Sequence, residues 1–290
     1  MLPGRASRTA EGVAARRAAH QILDTPAVFD DPLAGRVIHP QIAASLKERL
    51  RTHERSAVAR YLRAFLAARS RVAEDRLESA VQCGVSQYVL LGAGFDTFAY
   101  RNPHADLHVY EVDHPATQAV KRRRLDVSQI NIPANVSYVG VDLSEVPLAE
   151  ALAFSTFDSS RPAVFAWLGV VPYLEVASIK SVLAYVATLP EGTEIIFDYG
   201  VPPQSLNLIA RFFYRRIARR VEAAGEPWKT FFTPQDMRNI LRERGFGIIH
   251  DLGAEEINTR YFAHRSDRLR VGSAGRIVIA VVGRSVESTA

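Results

Sequence analysis

The chain has 290 residues, 48% of them hydrophobic and 23% charged, a composition that is typical of globular proteins and unlike that of disordered or fibrous ones. Its formal net charge is +5, but the arginines alternate with acidic residues and form no basic stripe interleaved with aromatic residues, so no nucleic-acid partner is expected. The single cysteine, Cys83, excludes an internal disulfide and a cysteine-based zinc site, and the lack of a long apolar segment predicts a cytoplasmic protein without a signal peptide or a membrane span.

Residues 1–80 are predicted to form a helical cover at the start of a single domain that spans residues 1–290. The stretch from Ala57 to Ala80 places apolar residues close to the 3.6-residue period of an amphipathic helix. The segment DDPLAGRVIHPQ contains several helix-breaking residues and separates this helix from an alanine- and arginine-rich helix upstream.

Residues 81–290 change to short apolar runs that alternate with helical patterns. The runs are QYVLL, LHVYEVD, VSYVGVD, AVFAWLGVV, EIIFDYG, GFGIIHD and GRIVIAVVG. Continuous apolar runs indicate strands that are covered on both faces, and the intervening helices suit right-handed crossovers. The pattern predicts an α/β fold with a doubly wound, Rossmann-like sheet. The connection before the last run, residues 254–275, has no strong helical pattern, so the last strand is expected to be antiparallel.

An insertion at residues 200–233 interrupts this alternation after EIIFDYG. It contains the basic amphipathic segment SLNLIARFFYRRIARRVEAAG, followed by the aromatic GEPWKTFF. Loops that a rigid sheet positions often close over substrates, so we predict that this insertion is a lid over the substrate.

The stretch VLLGAGFDTFAYR, residues 89–101, predicts a ligand site at the end of the first strand. Gly92-Ala93-Gly94 allows a sharp turn and a close approach of the backbone to a ligand. A dinucleotide site needs a third small residue and a helix N-terminus free for pyrophosphate, whereas Asp96 stands here. Its carboxylate would repel pyrophosphate and suit an ammonium or sulfonium group, unless it only caps the helix. The motif therefore favours a cationic nucleoside such as S-adenosylmethionine over a nicotinamide cofactor.

Acidic residues follow the next two predicted strands. Asp113 ends LHVYEVD nineteen residues after Gly94, where an acid can accept hydrogen bonds from two ribose hydroxyls, and Glu111 is the reserve candidate. Asp142 ends the third strand and could accept a bond from an adenine amino group, with Leu143 packed on the ring. Each acid alone could be a helix cap, but three successive strand ends with Gly, Asp and Asp indicate a nucleoside site.

Five stretches together resemble the leucine carboxyl methyltransferase family: TAEGVAARRAAH, VFDDPLAGRV, QYVLLGAGFDTFAYR, VYEVDHPATQAVKRRRL and GEPWKTFFTPQDMRNILRERGF. The closest likeness is to its bacterial branch of S-adenosylmethionine-dependent O-methyltransferases, which includes polyketide-modifying enzymes. The resemblance spans roughly residues 9–283. It implies a seven-stranded methyltransferase sheet with an antiparallel last strand and a helical cover over the cofactor.

The resemblance also implies roles for individual residues. Gly92 and Gly94 match the cofactor loop, Asp113 matches the ribose acid, and Asp142 and Leu143 match the adenine contacts.

Arg69 matches the arginine that meets the methionine carboxylate, with Arg71 as the alternative, and Arg16 falls near a basic position beside the cofactor. The chain departs from the family where an E-G-x-x-x-Y-L pattern is common. Leu168 replaces the acid of that pattern, while Tyr173 and Leu174 are kept.

Methyl transfer mostly requires that the nucleophile be aligned and water be excluded. A carboxylate acceptor is already ionised, whereas a hydroxyl acceptor needs a base. Candidates near the strand ends are His114, Tyr173, Asp198 and Tyr199, of which the two tyrosines are the predicted catalytic residues. No metal-binding pattern is present in the sequence.

The sequence thus predicts an O-methyltransferase that acts on a carboxylate or hydroxyl of a small molecule, such as a polyketide or another secondary metabolite. The alternatives are a methyltransferase acting on a protein C-terminus, a nicotinamide-dependent oxidoreductase and a non-catalytic cofactor-binding protein.

Overall fold

The computed structural model describes residues 8–44, 56–143, 145–223 and 225–283. Its seven strands are β1 (Gln87–Leu91), β2 (His108–Asp113), β3 (Val136–Gly140), β4 (Val164–Trp167), β5 (Glu194–Gly200), β6 (Phe246–Leu252) and β7 (Gly275–Val282). The helices bounded within these residues are α1 (Arg8–Leu23), α2 (Ala57–Gln82), α3 (Pro115–Val127), α4 (Leu148–Ala153), α5 (Val176–Val186), α6 (Leu208–Ala223), α7 (Pro234–Arg242) and α8 (Ala254–Tyr261).

The strands form one sheet in the order β3-β2-β1-β4-β5-β7-β6. β1 pairs in parallel with both β2 and β4, so the strand order reverses at β1, the place where open α/β sheets bind ligands. β7 is antiparallel to both of its neighbours, which confirms the predicted doubly wound sheet with an antiparallel last strand. The connection before β7 contains α8, a helix that was not predicted.

Two apolar layers, one on each face, cover the sheet and bury its central strands. All five residues of β1 are buried, as a continuous apolar strand predicts. Helices α2 and α8 pack on one face. Helices α4, α5 and α7 pack on the other, where the rings of Trp167 and Phe197 lie 6.1 Å apart.

Helix α1 lies across the carboxyl end of the sheet. Its alanine-rich face is buried against Phe95 and Leu125, because small side chains allow the helix to approach closely. Its end is attached to α2 by Asp24, whose carboxylate accepts from Arg63 Nε and Nη2 at 2.6 and 2.9 Å. His20 Nδ1 lies 2.8 Å from the same carboxylate.

The predicted insertion folds into α6 and an extended segment that returns toward the sheet. Thr230 Oγ1 donates to Leu174 O at 2.5 Å, and Lys229 N donates to Pro172 O at 2.7 Å. These bonds hold the segment against the turn that follows β4. Helix α6, like every other helix in the described ranges, falls short of the length and apolarity that crossing a membrane requires.

Candidate functional site

A cavity of about 380 Å³ lies at the carboxyl ends of β1 to β4, beside the point where the strand order reverses. The glycine turn after β1, the end of β2 and the residues after β3 and β4 form its floor. Helix α1 and residues 225–229 of the insertion form its roof. It therefore occupies the place where this fold class binds ligands.

The glycine turn takes backbone angles that favour glycine. Gly92 has φ +66° and Gly94 has φ +49°, both in the left-handed region. A Cβ on Gly94 would lie 3.1 Å from Ala10 Cβ, so α1 packs directly on the turn. The amides of Gly92 and Ala93 donate to Val112 O at 2.8 and 3.2 Å. As expected, all three turn residues line the cavity.

Asp113 lines the cavity at the end of β2 and is fixed by two backbone amides. Its Oδ2 accepts from Gly94 N at 2.5 Å and its Oδ1 from His114 N at 2.6 Å. Burial raises the pKa of Asp113, while these two hydrogen bonds act in the opposite direction. Each oxygen keeps one further acceptor position, so the carboxylate can receive two hydroxyl groups. His114 caps α3 because its Nδ1 accepts from Ala116 N at 3.1 Å.

Glu111, the reserve candidate, lies outside the cavity, and this expectation is corrected. Its side chain is fully buried and receives Lys121 Nζ at 2.7 and 2.8 Å, one contact to each oxygen. Tyr100 OH donates to it at 3.0 Å. Glu111 stands two residues before Asp113 in β2, so it lies about 6.6 Å further from the end of the strand. Glu111 is therefore half of an internal ion pair.

Asp96 lines the cavity, but neither of its oxygens is free of protein contacts. Oδ1 accepts from Phe98 N at 2.8 Å and so begins a single 3₁₀ turn, Phe98–Tyr100, rather than an α-helix. Oδ2 lies 3.2 Å from Arg17 Nη1 on α1. Burial opposes ionisation, but the charges of Arg17, Arg101 and Lys121 lower the pKa of Asp96. Asp96 thus joins the turn to the cover.

The basic residue that α1 presents to the cavity is Arg17, and the expectation for Arg16 is corrected. Arg17 lines the cavity, lies 3.0 Å from Asp31 Oδ2 and donates to Phe95 O at 2.7 Å. Arg16 is absent from the cavity lining and donates through Nη1 to Gly12 O at 3.1 Å. Of the two arginines, the side chain of Arg17 is therefore the one that the structure brings to the cavity.

Arg69 reaches the cavity from α2, whereas Arg71 is exposed and pairs with Asp75 at 2.6 Å. Arg69 Nη1 donates to Asp198 Oδ2 at 3.1 Å, and Asp198 Oδ1 accepts from Gly169 N at 2.6 Å. Asp198 therefore holds an arginine and a loop, a role that differs from that of a candidate base. Gly169 stands at the glycine of the E-G-x-x-x-Y-L pattern, but nothing in the sequence linked it to Arg69.

The residues after β3 also line the cavity as expected. The chain turns at Asp142, whose carbonyl accepts from Glu145 N and Val146 N at 3.0 Å each. Leu143 follows in the turn and presents an apolar side chain.

The two predicted catalytic tyrosines are placed differently. Tyr173 lines the cavity, and burial raises its pKa, so it is a hydrogen-bond donor at neutral pH. Tyr199 lies outside the cavity, is 1% exposed and donates to Asp251 Oδ2 at 2.9 Å. Burial and the charge of Asp251 raise the pKa of Tyr199. The structure thus brings Tyr173 to the cavity and not Tyr199, whose hydroxyl is committed to Asp251.

The cavity wall carries more negative than positive charge. The described lining residues include five carboxylates and three basic side chains of lysine and arginine: Asp96, Asp113, Asp142, Glu175 and Glu226 against Arg17, Arg69 and Lys229. Where the structure describes the chain, no three His, Cys, Asp or Glu side chains are grouped as metal ligands. The lining suits an organic cation with hydroxyl, amino and carboxylate groups.

The helical cover and the insertion meet above this cavity. Thr9 N on α1 donates to Glu226 Oε2 at 3.3 Å, so the cover and the insertion touch each other as well as the site. Glu226 had not been singled out in the sequence, where Gly-Glu-Pro reads only as a turn.

The family and the relatives that this chain matches are all described as methyltransferases. The leucine carboxyl methyltransferase family matches residues 10–187. YktD of Bacillus subtilis (strain 168), which bears the name of an S-adenosyl-L-methionine-dependent methyltransferase, is 30% identical over 278 residues, covering 87% of this chain and 90% of YktD. A Mycobacterium marinum protein with the same type of name is 28% identical over 302 residues, covering 97% and 94%.

Two solved structures share the fold over nearly the whole chain. A Thermobifida fusca protein named as a methyltransferase aligns with a TM-score of 0.60 and 17% identity, covering 97% of this chain and 96% of that one. A DUF574 family protein from Streptomyces avermitilis aligns with a TM-score of 0.58 and 16% identity, covering 94% and 97%.

Proposed function

The chain belongs to the leucine carboxyl methyltransferase family, and from this membership we propose that it is an S-adenosylmethionine-dependent enzyme that methylates an oxygen atom of a small molecule. The acceptor group is a carboxylate or a hydroxyl, and a polyketide or another secondary metabolite is the proposed kind of acceptor. The observation that carries the proposal is one cavity in which Asp113, Asp142 and Arg69 surround the glycine turn.

The lining residues fit the cofactor group by group. Asp113 keeps an acceptor position on each oxygen for the two ribose hydroxyls. Asp142 and Leu143 would hold the adenine, and Arg69 would hold the amino-acid carboxylate. The excess of carboxylates offsets the cost of placing a cation in a confined space. When bound, the cofactor supplies a methyl carbon that is activated by positive sulfur.

The acceptor side favours a group that is already ionised. Among the described lining residues, His114 is the one imidazole, and its Nδ1 is engaged in capping α3. Tyr173 holds its proton because burial raises its pKa. A carboxylate acceptor needs no base, and the basic side chain that the insertion brings to the cavity is Lys229, which lies 3.0 Å from Glu175 Oε1.

The aromatic rings of the insertion pack on one another beside the cavity. Tyr214 lies 5.4 Å from Trp228 and 5.8 Å from Phe231, measured between ring centroids. These three side chains are not part of the cavity lining, so the proposed polyketide acceptor rests on the resemblance to the family branch and not on this cluster.

The proposal is tested by binding first and by transfer second. We expect S-adenosylhomocysteine to bind the wild-type protein, and Asp113→Ala to weaken that binding by at least about a hundredfold, because two charge-assisted hydrogen bonds are lost. The control, Asp106→Ala, removes an exposed carboxylate from the loop before β2 and is expected to leave binding unchanged. Calorimetry measures both.

Transfer is measured with methyl-labelled S-adenosylmethionine and a panel of carboxylates, phenols and C-terminal peptides. Labelled product that alkali converts to methanol is an ester, whereas alkali-stable product is an ether. Binding of NAD instead of S-adenosylhomocysteine would identify an oxidoreductase. Cofactor binding without transfer to any acceptor would identify a non-catalytic binding protein, and either result would overturn the proposal.

A further inference from the structure

A buried ion pair lies directly behind the cavity wall. Arg69 is 8% exposed and lines the cavity, whereas Asp198 is 4% exposed and lies outside it. Arg69 Nη1 donates to Asp198 Oδ2 at 3.1 Å. Because each partner alone would be a charge in a low-dielectric interior, the pair is strongly held.

The other carboxylate oxygen of Asp198 binds the backbone at the floor of the cavity. Oδ1 accepts from Gly169 N at 2.6 Å, immediately after β4. One carboxylate therefore connects three elements: β5, which carries it, α2, which carries the arginine, and the loop after β4. The position of the guanidinium relative to the sheet follows from these two bonds.

The backbone of Gly169 lies close against the guanidinium of Arg69. It has φ +74°, and a Cβ built there would lie 2.6 Å from Arg69 Nη2 and 2.7 Å from Nη1. No other residue fits this close approach without displacing the arginine. The guanidinium is thus confined by a carboxylate and by a bare backbone.

This arrangement leaves much of the arginine available to a ligand. A guanidinium has five N–H donors, and the contact to Asp198 uses Nη1. Leu168, which precedes Gly169, replaces the acid that is common in the family pattern. No carboxylate at that position therefore competes for the N–H donors of Arg69. A carboxylate in the cavity can therefore share the guanidinium with Asp198.

We propose that Asp198 is a positioning residue for the amino-acid end of the cofactor: it fixes Arg69 so that the free donors of the guanidinium meet a carboxylate in the cavity. The inference rests on the proposed function, because it takes S-adenosylmethionine as the ligand. Asp198 acts through Arg69 and does not itself touch the ligand. It therefore governs recognition of the amino-acid group and leaves recognition of the nucleoside unchanged.

The test compares two ligands that differ only at that end. S-adenosylhomocysteine carries the amino-acid group, whereas 5′-methylthioadenosine keeps the adenine and the ribose and lacks it. Asp198→Asn is expected to weaken S-adenosylhomocysteine by about tenfold or more and to change 5′-methylthioadenosine by less than about twofold. Asp75→Asn neutralises a half-buried carboxylate on α2 that pairs with Arg71 and accepts from Tyr261 OH at 3.0 Å, outside the cavity lining, and serves as the matched control, with both affinities unchanged.

A second variant reaches the arginine without changing any charge. Gly169→Ala adds the Cβ that meets the guanidinium and is expected to reproduce the selective loss of S-adenosylhomocysteine. In turnover, both variants should raise the KM for S-adenosylmethionine more than they lower kcat. If Asp198→Asn fails to fold, Asp198→Glu, which keeps the charge and moves it by one methylene, takes its place and is expected to show the same selective loss of S-adenosylhomocysteine.

Three outcomes are distinguished. Equal weakening of both ligands would show a merely structural role for Asp198 and overturn the inference. Unchanged binding of S-adenosylhomocysteine in both variants would overturn it as well. Failure of the wild-type protein to bind either nucleoside would instead refute the proposed function.

Discussion

The carboxylate of Asp96 faces the cofactor cavity while each of its oxygens already has a partner in the protein. Phe98 N donates to one and Arg17 lies 3.2 Å from the other. A neighbouring guanidinium cancels most of the field that the acid would exert on a ligand. Asp96 therefore joins the glycine turn to α1, and we expect its effect on a sulfonium group to be small.

The variant Asp96→Asn separates these roles, because asparagine keeps an oxygen for Phe98 N and loses the charge. We expect the affinities for S-adenosylmethionine and S-adenosylhomocysteine to change by less than about threefold each, and the free energy of unfolding to fall by about 1 kcal/mol. Calorimetry with both ligands and urea denaturation measure the two effects. A tenfold loss for S-adenosylmethionine alone would instead place Asp96 against the sulfonium.

Sequence reasoning located the residues whose place the backbone determines. Gly94 lies in the turn after β1 and Asp113 ends β2, so the positions of the strands place both residues at the cavity. Arg16 and Arg17 cannot be told apart in this way, because alanines flank them on every side of α1 and no apolar period marks the inward face. Glu111 gave one usable signal, since an acid inside the apolar run VYEV requires a buried counter-ion.

At the scale of elements, two segments far apart in the chain make the roof. Helix α1 packs on Gly94, and residues 225–229 reach the rim, where Glu226 accepts from Thr9 N. Since α1 lies over the glycine turn and α6 leads into the lid, damage to each helix should affect a different ligand.

A proline in each helix tests this division, because it removes one backbone hydrogen bond and costs about 3 kcal/mol locally. Ala15→Pro in α1 is expected to weaken S-adenosylhomocysteine by about tenfold or more. Ala218→Pro in α6 is expected to change that affinity by less than about threefold and to raise the KM for the acceptor. Each variant is the control of the other. Equal loss of cofactor affinity in both would show that the roof acts as one unit.

The strands were predictable because continuous apolar runs are specific, whereas α8 was not. Its eight residues, AEEINTRY, bury Ile257 alone and give no readable period. The helix begins through a local contact, since Glu256 Oε2 accepts from Gly253 N at 2.9 Å. Its neighbour β7 was predicted as antiparallel from the lack of a long helical crossover, and that reasoning holds with a helix this short.

At the scale of the whole molecule, a buried charge cluster joins α1 to α2, the long helix that packs on the sheet. Asp24 follows α1, accepts two bonds from Arg63 on α2 and lies beside His20. His20 Nε2 accepts from Val28 N at 3.0 Å, so its proton lies on Nδ1 and points at the carboxylate. Burial opposes ionisation, but these partners lower the pKa of Asp24 from 3.8 to about 2.

This depressed pKa links the stability of the whole chain to acid. Above pH 4 the carboxylate is ionised in both the folded and the unfolded chain, and its pairing is fully present. As the pH falls toward 2, the unfolded chain binds the proton first, and stability is lost. A shift of about two units corresponds to about 2.5 kcal/mol.

Asp24→Asn is therefore expected to unfold more easily than wild type by about 3 kcal/mol at pH 7, because Arg63 loses its buried partner. The difference between the two proteins should shrink by most of about 2.5 kcal/mol between pH 4 and pH 2. Urea denaturation across this range measures it, and Asp75→Asn, from an exposed pair, should differ from wild type by less than about 1 kcal/mol throughout. A difference that stays constant with pH would trace the destabilisation to altered packing around Arg63 rather than to ionisation of the carboxylate.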